Sequence, residues 1–453
     1  MRHRYVPTLV LLLTLCALAT SPGQDEKTIT LQRAINLAVE RNIAVIQARN
    51  AVEAQQSNKQ AAVGAMLPNL DLSAGFSRSQ TWNDQQSGFV FVNGQPIPLG
   101  GSFRANNSFS TGISSQVMLF NGFANTSNVS RAQSNAVSAD LTLNRTQQTT
   151  IFQTHVLYLD VVRTFQLLKV NEDNLKRSER QLERITESNK VGAVAIADVY
   201  RQKVQVGSDE LALIQAESNH EKAKADLIAY LGIDFDKEYK FDFGGIPDQI
   251  DTAEFTSLNA QYADFNHLYM SAIEKRPDYQ ASVEGLNSAD ASVTIARAGF
   301  LPTVSLQGSY GFNNTELSTL KDNRNLYFGF NINLPIFSGF STQNQIEQAQ
   351  VQRRNADEQL SQARRQLRVD VRKALLDLES SEKQVSVTQT SVESAEMDRK
   401  IAEEKYNLGA GTLLDLLVAT ANYTTALSNK VNAVIGYLLS KKQAEYALGT
   451  LSK

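Results

Sequence analysis

The chain contains one plan written twice. Leu119-Phe120-Asn121-Gly122-Phe123 recurs as Ile336-Phe337-Ser338-Gly339-Phe340, Gly192 with Asp198 recurs as Gly409 with Asp415, and Leu231-Gly232 recurs as Leu448-Gly449. Each pair is separated by 217 positions (336 − 119, 409 − 192, 448 − 231), so a stretch of 112 residues (231 − 119) passes in both copies without a net insertion. Such self-similarity constrains topology more than any local pattern, because each copy must form an equivalent unit. Both copies open on alternating, strand-like sequence and continue into very long helical sequence.

The amino terminus has the physics of an export signal. Arg2 and Arg4 form a charged start, Leu9 to Ala19 is a short apolar core, and Ala17-Leu18-Ala19 suits signal peptidase. This predicts a signal peptide over residues 1–19, with cleavage as late as residue 23. Its apolar core of eleven residues (9–19) is too short to span a bilayer as a helix. Cys16, the only cysteine, lies inside it, and Leu15 stands where lipid attachment needs a small residue. The mature chain is therefore expected to carry neither thiol nor disulfide. No later apolar run is long enough for a transmembrane helix, so only a barrel could take this chain through a membrane. The net charge of −3, with no basic cluster, argues against nucleic acid as a partner.

Residues 24–232 form the first copy. Thr28 to about Gly64 reads as a single helix, capped by Thr28 or Thr30 and ended by Pro68, with Leu31, Ala34, Ile35, Ala38 and Val39 along one stripe. A β-hairpin is expected over about 69–120. Leu70, Leu72, Ala74 and Phe76 alternate with polar residues, a polar loop covers roughly 79–107, and the return strand places Phe109, Thr111, Ile113, Ser115, Val117 and Leu119 on one face. Residues 233–264 read as a connector with a short strand at Lys240-Phe241-Asp242-Phe243, packed outside the helices. The second copy, 265–450, repeats the helix, a hairpin over about 303–337 and a long helical hairpin. Pro302 matches Pro68 at an offset of 234, so the first hairpin loop is 17 residues longer (234 − 217). In the last strand Leu326, Phe328, Phe330, Ile332, Leu334 and Ile336 face one way, against Tyr327, Gly329, Asn331, Asn333 and Pro335. Alternation of this kind over about ten residues marks membrane barrel strands, and a soluble sheet with one buried face is the alternative.

Beyond Gly122 and Gly339 come segments of about 68 residues without proline, each long enough for a helix of roughly 100 Å. Val161, Leu168, Leu175 and Leu182 fall seven apart, and the second copy keeps three of the four as Leu378, Val385 and Val392, with Arg399 at the last place. Each helix reverses at a short turn, Val191 to Ala195 or Leu408 to Thr412, into a returning helix. Thr412 with Asp415 forms a variant capping box, whereas the first copy has Ala195 and a weaker cap.

Four strands cannot close a barrel, and open edges are not tolerated in lipid. The hairpin loops lie on one side of the strands and every helix joins them from the other. These constraints are met by a mixed α and β architecture in which several chains share one transmembrane barrel, continued by a barrel of long antiparallel helices.

In this order and doubled spacing the chain resembles the TolC family of outer membrane factors. The resemblance rests on Leu31-Gln32-Arg33-Ala34-Ile35, on Leu67-Pro68 and Leu301-Pro302 ahead of strands, on Phe120-Asn121-Gly122 and Phe337-Ser338-Gly339 after strands, and on the two Gly turns followed by Asp. It implies a homotrimer with a twelve-stranded β-barrel, four strands per chain, over an antiparallel coiled-coil α-helical barrel. It implies an exit duct of a tripartite efflux pump in a Gram-negative-type outer membrane, in contact with its lipid, with a large periplasmic part. It also implies a periplasmic adaptor protein docked at the helix tips, at Gly192, Ala193, Gly409, Ala410, Gly411 and Thr412, and an inner-membrane transporter beneath. Small molecules such as drugs are the expected cargo, a type I protein secretion duct is the alternative, and an exported coiled-coil scaffold or adhesin is the non-transport alternative.

By the same resemblance Asp198, Tyr406 and Asp415 match positions that close the periplasmic entrance through hydrogen bonds, salt bridges and a ring of carboxylates. Symmetry-related aspartates facing one lumen would attract cations, although a carboxylate there also serves simply as a helix cap. Two positions depart from the pattern. Gly411 stands at the place of an arginine partner and Val418 at that of a second aspartate, which predicts an entrance held less tightly or by other contacts. No enzyme, cofactor or metal site is expected. His155, His220 and His267 form no ligand pair, Gly409-Ala410-Gly411-Thr412 lacks the lysine of a phosphate loop, and five methionines suggest no soft-metal path.

Overall fold

The computed structural model describes residues 28–83, 89–98, 102–243, 250, 255, 258 and 261–452. The expected signal peptide, part of the first hairpin loop and part of the connector, including Gly244-Gly245-Ile246-Pro247, lie outside the described residues.

The segment expected as one helix from Thr28 is three elements. Strand β1 (Thr28–Ile29) pairs in parallel with β6 (Lys240–Phe241), α1 spans Leu31–Arg41 and α2 spans Ile43–Gly64. Thr30 caps α1, its hydroxyl accepting from the Arg33 amide, and Leu31 to Val39 supply the expected buried stripe. The break falls at Asn42, whose extended ψ of 130° stops α1 while its side-chain oxygen accepts from the Ala44 amide and starts α2. A second break of this kind separates α5 (Phe265–Lys275) from α6 (Pro277–Arg297), with proline at the first helical position, where its missing N–H costs nothing.

The strands are longer than the alternation alone suggested. They are β2 (Asp71–Asn83), β5 (Ser102–Asn121), β7 (Thr303–Asn314) and β8 (Arg324–Asn333), and a small hairpin of β3 (Phe89–Val92) and β4 (Gln95–Pro98) occupies sequence expected as loop. The four long strands form one antiparallel sheet in the order β2-β5-β7-β8, leaving β2 and β8 as edges. Register places the apolar residues of all four strands on one face. Leu72 lies opposite Ile113, Ile113 opposite Tyr310 and Tyr310 opposite Leu326, while Val117, Leu306 and Phe330 form a second row. The other face carries rows such as Ser73, Gly112, Gly311 and Asn325, or Gln116, Gln307 and Gly329. Two expectations are corrected. The pairing slips between Met118 and Phe120, so Phe120 rather than Leu119 lies opposite Val304. Strand β8 ends at Asn333, so Leu334 and Ile336 lie beyond its paired face, and the chain bends at Ile336.

Helices α3 (Ala124–Lys190) and α7 (Ser341–Asn407) are each 67 residues long, roughly 100 Å at 1.5 Å per residue. Each is entered through two left-handed residues, Gly122-Phe123 and Gly339-Phe340. At Gly122 a Cβ would come within 2.8 Å of Leu301 and 2.9 Å of the Ala298 carbonyl, so both space and φ demand glycine. The returning helices are α4 (Ile196–Leu231) and α8 (Leu413–Ala447). Near the sheet the helices lie side by side as α2-α3-α6-α7, and farther away as α4-α3-α8-α7. Val161, Leu378 and Val385 of the expected seam are buried, with Leu168, Leu175, Leu182 and Val392 half-buried.

The main core lies midway along the long helices. Tyr158, Val161, Val162, Leu227 and Leu231 pack with Ile29, Ala34 and Ala38, and the Tyr158 hydroxyl donates to the carbonyls of Ile29 and Asp242. On the other hairpin Ile250 and Leu258 pack against Leu378, Val434 and Tyr437. The connector thus touches the helices at both ends of its described part.

Candidate functional site at the helix tips

The two reversals are built alike. Gly192 and Gly409 adopt φ of 78° and 72°, and the next amides, Ala193 and Ala410, donate back to the carbonyls of Ser188 and Lys405. Only glycine enters this conformation without a Cβ penalty, so each turn is fixed by one residue. The starts of the returning helices differ, as expected. Thr412 forms a full capping box, with its hydroxyl accepting from the Asp415 amide and the Asp415 carboxylate accepting from the Thr412 amide at 3.1 Å. Ala195 gives no side-chain cap.

The tips meet on a small apolar cluster. Ile185 of α3, Val199 of α4 and Leu413 of α8 are buried together, with Leu182, Val194, Tyr406 and Leu417 against them. All four helices of the lower layer therefore share one contact. Tyr406 enters it ring first, and its hydroxyl is buried without a partner among the described residues. Burial, and secondarily the nearby Asp198 charge, push its pKa up. Asp198 itself pairs with Arg201 of its own helix at 2.9 Å, and Asp415 serves its own cap, which lowers its pKa by hydrogen bonds to Thr412. Among the described residues, then, the three expected gate residues lie at the same end, Tyr406 packs against the other helices, and none of the three makes a hydrogen bond or ion pair across helices. Gly192, Ala193, Gly409, Ala410 and Thr412 are exposed on the outermost surface, Gly411 is half-buried, and Val418 is exposed.

The links across helices come from residues that the sequence did not single out. Glu403 of α7 accepts from Arg184 of α3 at 3.0 Å and from Arg399 at 2.8 Å. Burial alone would raise the Glu403 pKa, but the two arginines outweigh it and hold the carboxylate below its ordinary range. Asn174 of α3 accepts from Thr424 of α8 at 2.9 Å. These residues sit among many other charged and amide side chains, so no local pattern marks them. Among the described residues no group of His, Asp or Glu is arranged to hold a metal ion, and no helix is long and apolar enough to cross a membrane.

The doubled fold and the paired tips match known proteins closely enough to place the chain. The sequence profile described as outer membrane efflux protein matches residues 34–233 and 268–451. The chain belongs to this family. It is 26% identical over 323 residues to outer membrane protein TolC of Salmonella enteritidis, covering 69% of this chain; the match spans 64% of that relative, less than two thirds of its length. It is 24% identical over 398 residues to outer membrane efflux protein BepC of Brucella suis, covering 88% of this chain and 80% of that protein. The solved Campylobacter jejuni CmeC outer membrane channel superposes with a TM-score of 0.76 at 21% identity, covering 93% of this chain and 85% of that one, which speaks to the fold.

Proposed function

We propose that this protein is the outer membrane exit duct of a tripartite efflux pump, working as a homotrimer that carries small molecules such as drugs from periplasm to exterior. One observation carries the proposal: the sheet has a single register-aligned apolar face and two unpaired edges, and the helical layer beneath it has two unpaired edges as well. Phe328, Phe330 and Ile332 of β8 and Leu72 and Phe76 of β2 are exposed on that face, which suits lipid and not water. The outer helices expose apolar residues in one chain, Tyr200, Val204 and Leu211 on α4 and Val387, Met397 and Ile401 on α7. Closing both layers at once requires neighbouring copies. Two copies would give eight strands, whose interior is only wide enough for side chains to fill, whereas three give twelve strands and twelve helices around a lumen.

In such a trimer residues 24–232 and 265–450 each form one of six similar wall units, with 233–264 as the belt between them. The paired tips would be the periplasmic entrance, where Asp198, Tyr406 and Asp415 meet their counterparts in adjoining chains. The exposed turns at Gly192–Ala193 and Gly409–Thr412 would receive a periplasmic adaptor protein, itself joined to an inner-membrane transporter. The word efflux in the family description, and in the name of BepC, favours small-molecule export over type I protein secretion.

The test is extraction and reconstitution of the full chain. Detergent-extracted trimers from the outer membrane, conductance in planar bilayers, and reduced dye accumulation in a host deleted for its own duct are expected. A monomer soluble without detergent would refute the duct in favour of an exported scaffold or adhesin. Protein export without dye efflux would reassign it to type I secretion.

A further inference from the structure

One to five turns above the tips, the two helical hairpins enclose a cavity of about 600 Å³. Its lining is mixed: Asn171, Gln181, Gln205 and Thr420 face it, and so do Ala212, Leu416, Leu417 and Ala421. Four arginines line it, Arg177, Arg180, Arg184 and Arg399, against three carboxylates, Glu183, Asp209 and Glu403. The buried carboxylates are already occupied. Glu403 is shared by Arg184 and Arg399, and Asp209 accepts from the amides of Asn174 and Gln205, each at 2.9 Å, with no ion pair among the described residues.

Arg177 is left over. Its Nε and one terminal nitrogen are shut off from water and have no acceptor, and the Nε of Arg399 is in the same state. Both guanidinium groups lie beside the Tyr423 ring, at 5.7 Å and 5.4 Å from its centroid. Burial pulls the Arg177 pKa down and the neighbouring Arg399 charge adds to this, outweighing Tyr423, Asp173 and Asp209, which act the other way without bonding to it; an arginine keeps its proton all the same. Two adjacent cations with dry, unpaired donors are a poor structural arrangement unless an anion completes it. Gln202 adds an acceptor: its amide nitrogen is fixed on the Ser178 carbonyl and hydroxyl, each at 3.0 Å, and its oxygen is buried without a partner.

We propose that this cavity is a binding site for a small hydrophilic oxyanion, a phosphate or a polycarboxylate, gripped by the guanidinium groups of Arg177 and Arg399. The planar forks suit two oxygens of one phosphate or carboxylate, and a hydroxyl of the same ligand can donate to Gln202. The anion would join α3 and α4 to α7 and so brace one hairpin against the other. The site is complete within one chain and does not depend on the duct assignment.

The test uses the full chain purified in detergent, with inorganic phosphate and citrate as probes in chloride at constant ionic strength. Isothermal titration should show saturable binding of one of them at one site per chain. Affinity should fall at least tenfold in Arg177→Gln and Arg399→Gln, fall less in Arg177→Lys, and stay unchanged in Lys383→Gln on the exposed face of α7. The same ligand should slow amide exchange of residues 171–184 and 416–425 in the unmodified protein, a readout that survives if a variant misfolds. Absence of saturable binding by both probes, equal affinity in a folded Arg177→Gln protein, or unchanged exchange in those segments would overturn the proposal.

Discussion

Arg276 is the least exposed Asp, Glu, Lys or Arg among the described residues. It sits at the break between α5 and α6 with its side chain 6% exposed, and its guanidinium reaches Asp278 at 2.6 and 3.0 Å and Asp370 of α7 at 2.9 Å. Arg145 of α3 approaches the same Asp278 at 3.7 Å and donates to the Tyr446 carbonyl near the end of α8. One group of four charges therefore ties together four elements. Removing one partner from a buried pair costs ~3–5 kcal/mol, because the remaining charge is left desolvated. Here Asp278 and Asp370 keep 38% and 31% of their side chains in water, and Arg145 remains beside Asp278, so the lower end applies. About 1 kcal/mol for each of the three contacts gives the same figure, ~3 kcal/mol per chain.

For a chain of 453 residues the unfolding entropy is about 1 kcal/mol/K, so Arg276→Ala should lower the thermal midpoint by about 3 °C. The midpoint is compared at one scan rate, since a large assembly of this kind unfolds irreversibly. Arg276→Lys keeps the charge but not the fork and should lose about half as much. The effect has a defined pH window. Burial pushes the Asp278 pKa up, but Arg276 and Arg145 outweigh it and hold it below the ordinary carboxylate value. Its contribution is fully present above the unfolded pKa of ~3.9 and is lost as pH falls through the lower folded value. The difference between Arg276→Ala and the unmodified protein should shrink toward pH 3. A midpoint within 1 °C of the unmodified protein at pH 7, or a difference independent of pH, would refute this account.

At the tips, Gly409→Ala places a Cβ in open space but at φ 72°, so only backbone strain is felt; about 1 kcal/mol is expected, seen as faster amide exchange in residues 404–412, and Gly409→Asn should cost less. Thr412→Ala should cost ~1 kcal/mol through loss of the capping box, and Ala195→Thr should gain a similar amount by restoring a cap, both read from exchange at the first turns of α8 and α4. Tyr406→Phe removes a buried hydroxyl without a partner among the described residues and should leave the melting midpoint unchanged. A rise in single-channel conductance in that variant would then locate the hydroxyl's partner in an adjoining copy; unchanged conductance there and in Asp415→Ala would remove these residues from the gate. On the sheet, Phe328→Lys puts a charge on the apolar face at a cost of ~2–4 kcal/mol and should block recovery of membrane-inserted oligomer, whereas Asn331→Lys on the polar face should be recovered normally.

The features legible in the sequence are those whose cause lies within a few residues. Alternation of period two placed the strands and their apolar face, because each residue's side is fixed by its neighbours along the chain. Gly192 and Gly409 announced the reversals, since only glycine takes that backbone freely, and Thr412 with Asp415 announced a cap four residues wide. The errors have the same origin. Asn42 looked compatible with a continuous helix, and it breaks one because its side chain satisfies the next amide instead. The slip at Leu119 depends on how β5 meets β7, almost two hundred residues later, and nothing in either strand alone prescribes it. Charges were the least legible of all. Arg177 and Glu403 sit on long helices where nearly every turn carries an ion, Arg276 sits at a helix break between charged neighbours, and solvated surface charge is the ordinary expectation for all three. What separates them is burial by a second hairpin more than two hundred residues away in sequence, or by a segment on the far side of a strand pair. A helix that must be wet along one side and packed along the other spreads its charges evenly in sequence and unevenly in space. The polar contacts that join the two hairpins therefore had to be found in the folded chain, where they add to the apolar cluster that Tyr406 enters and to the pairing of β5 with β7.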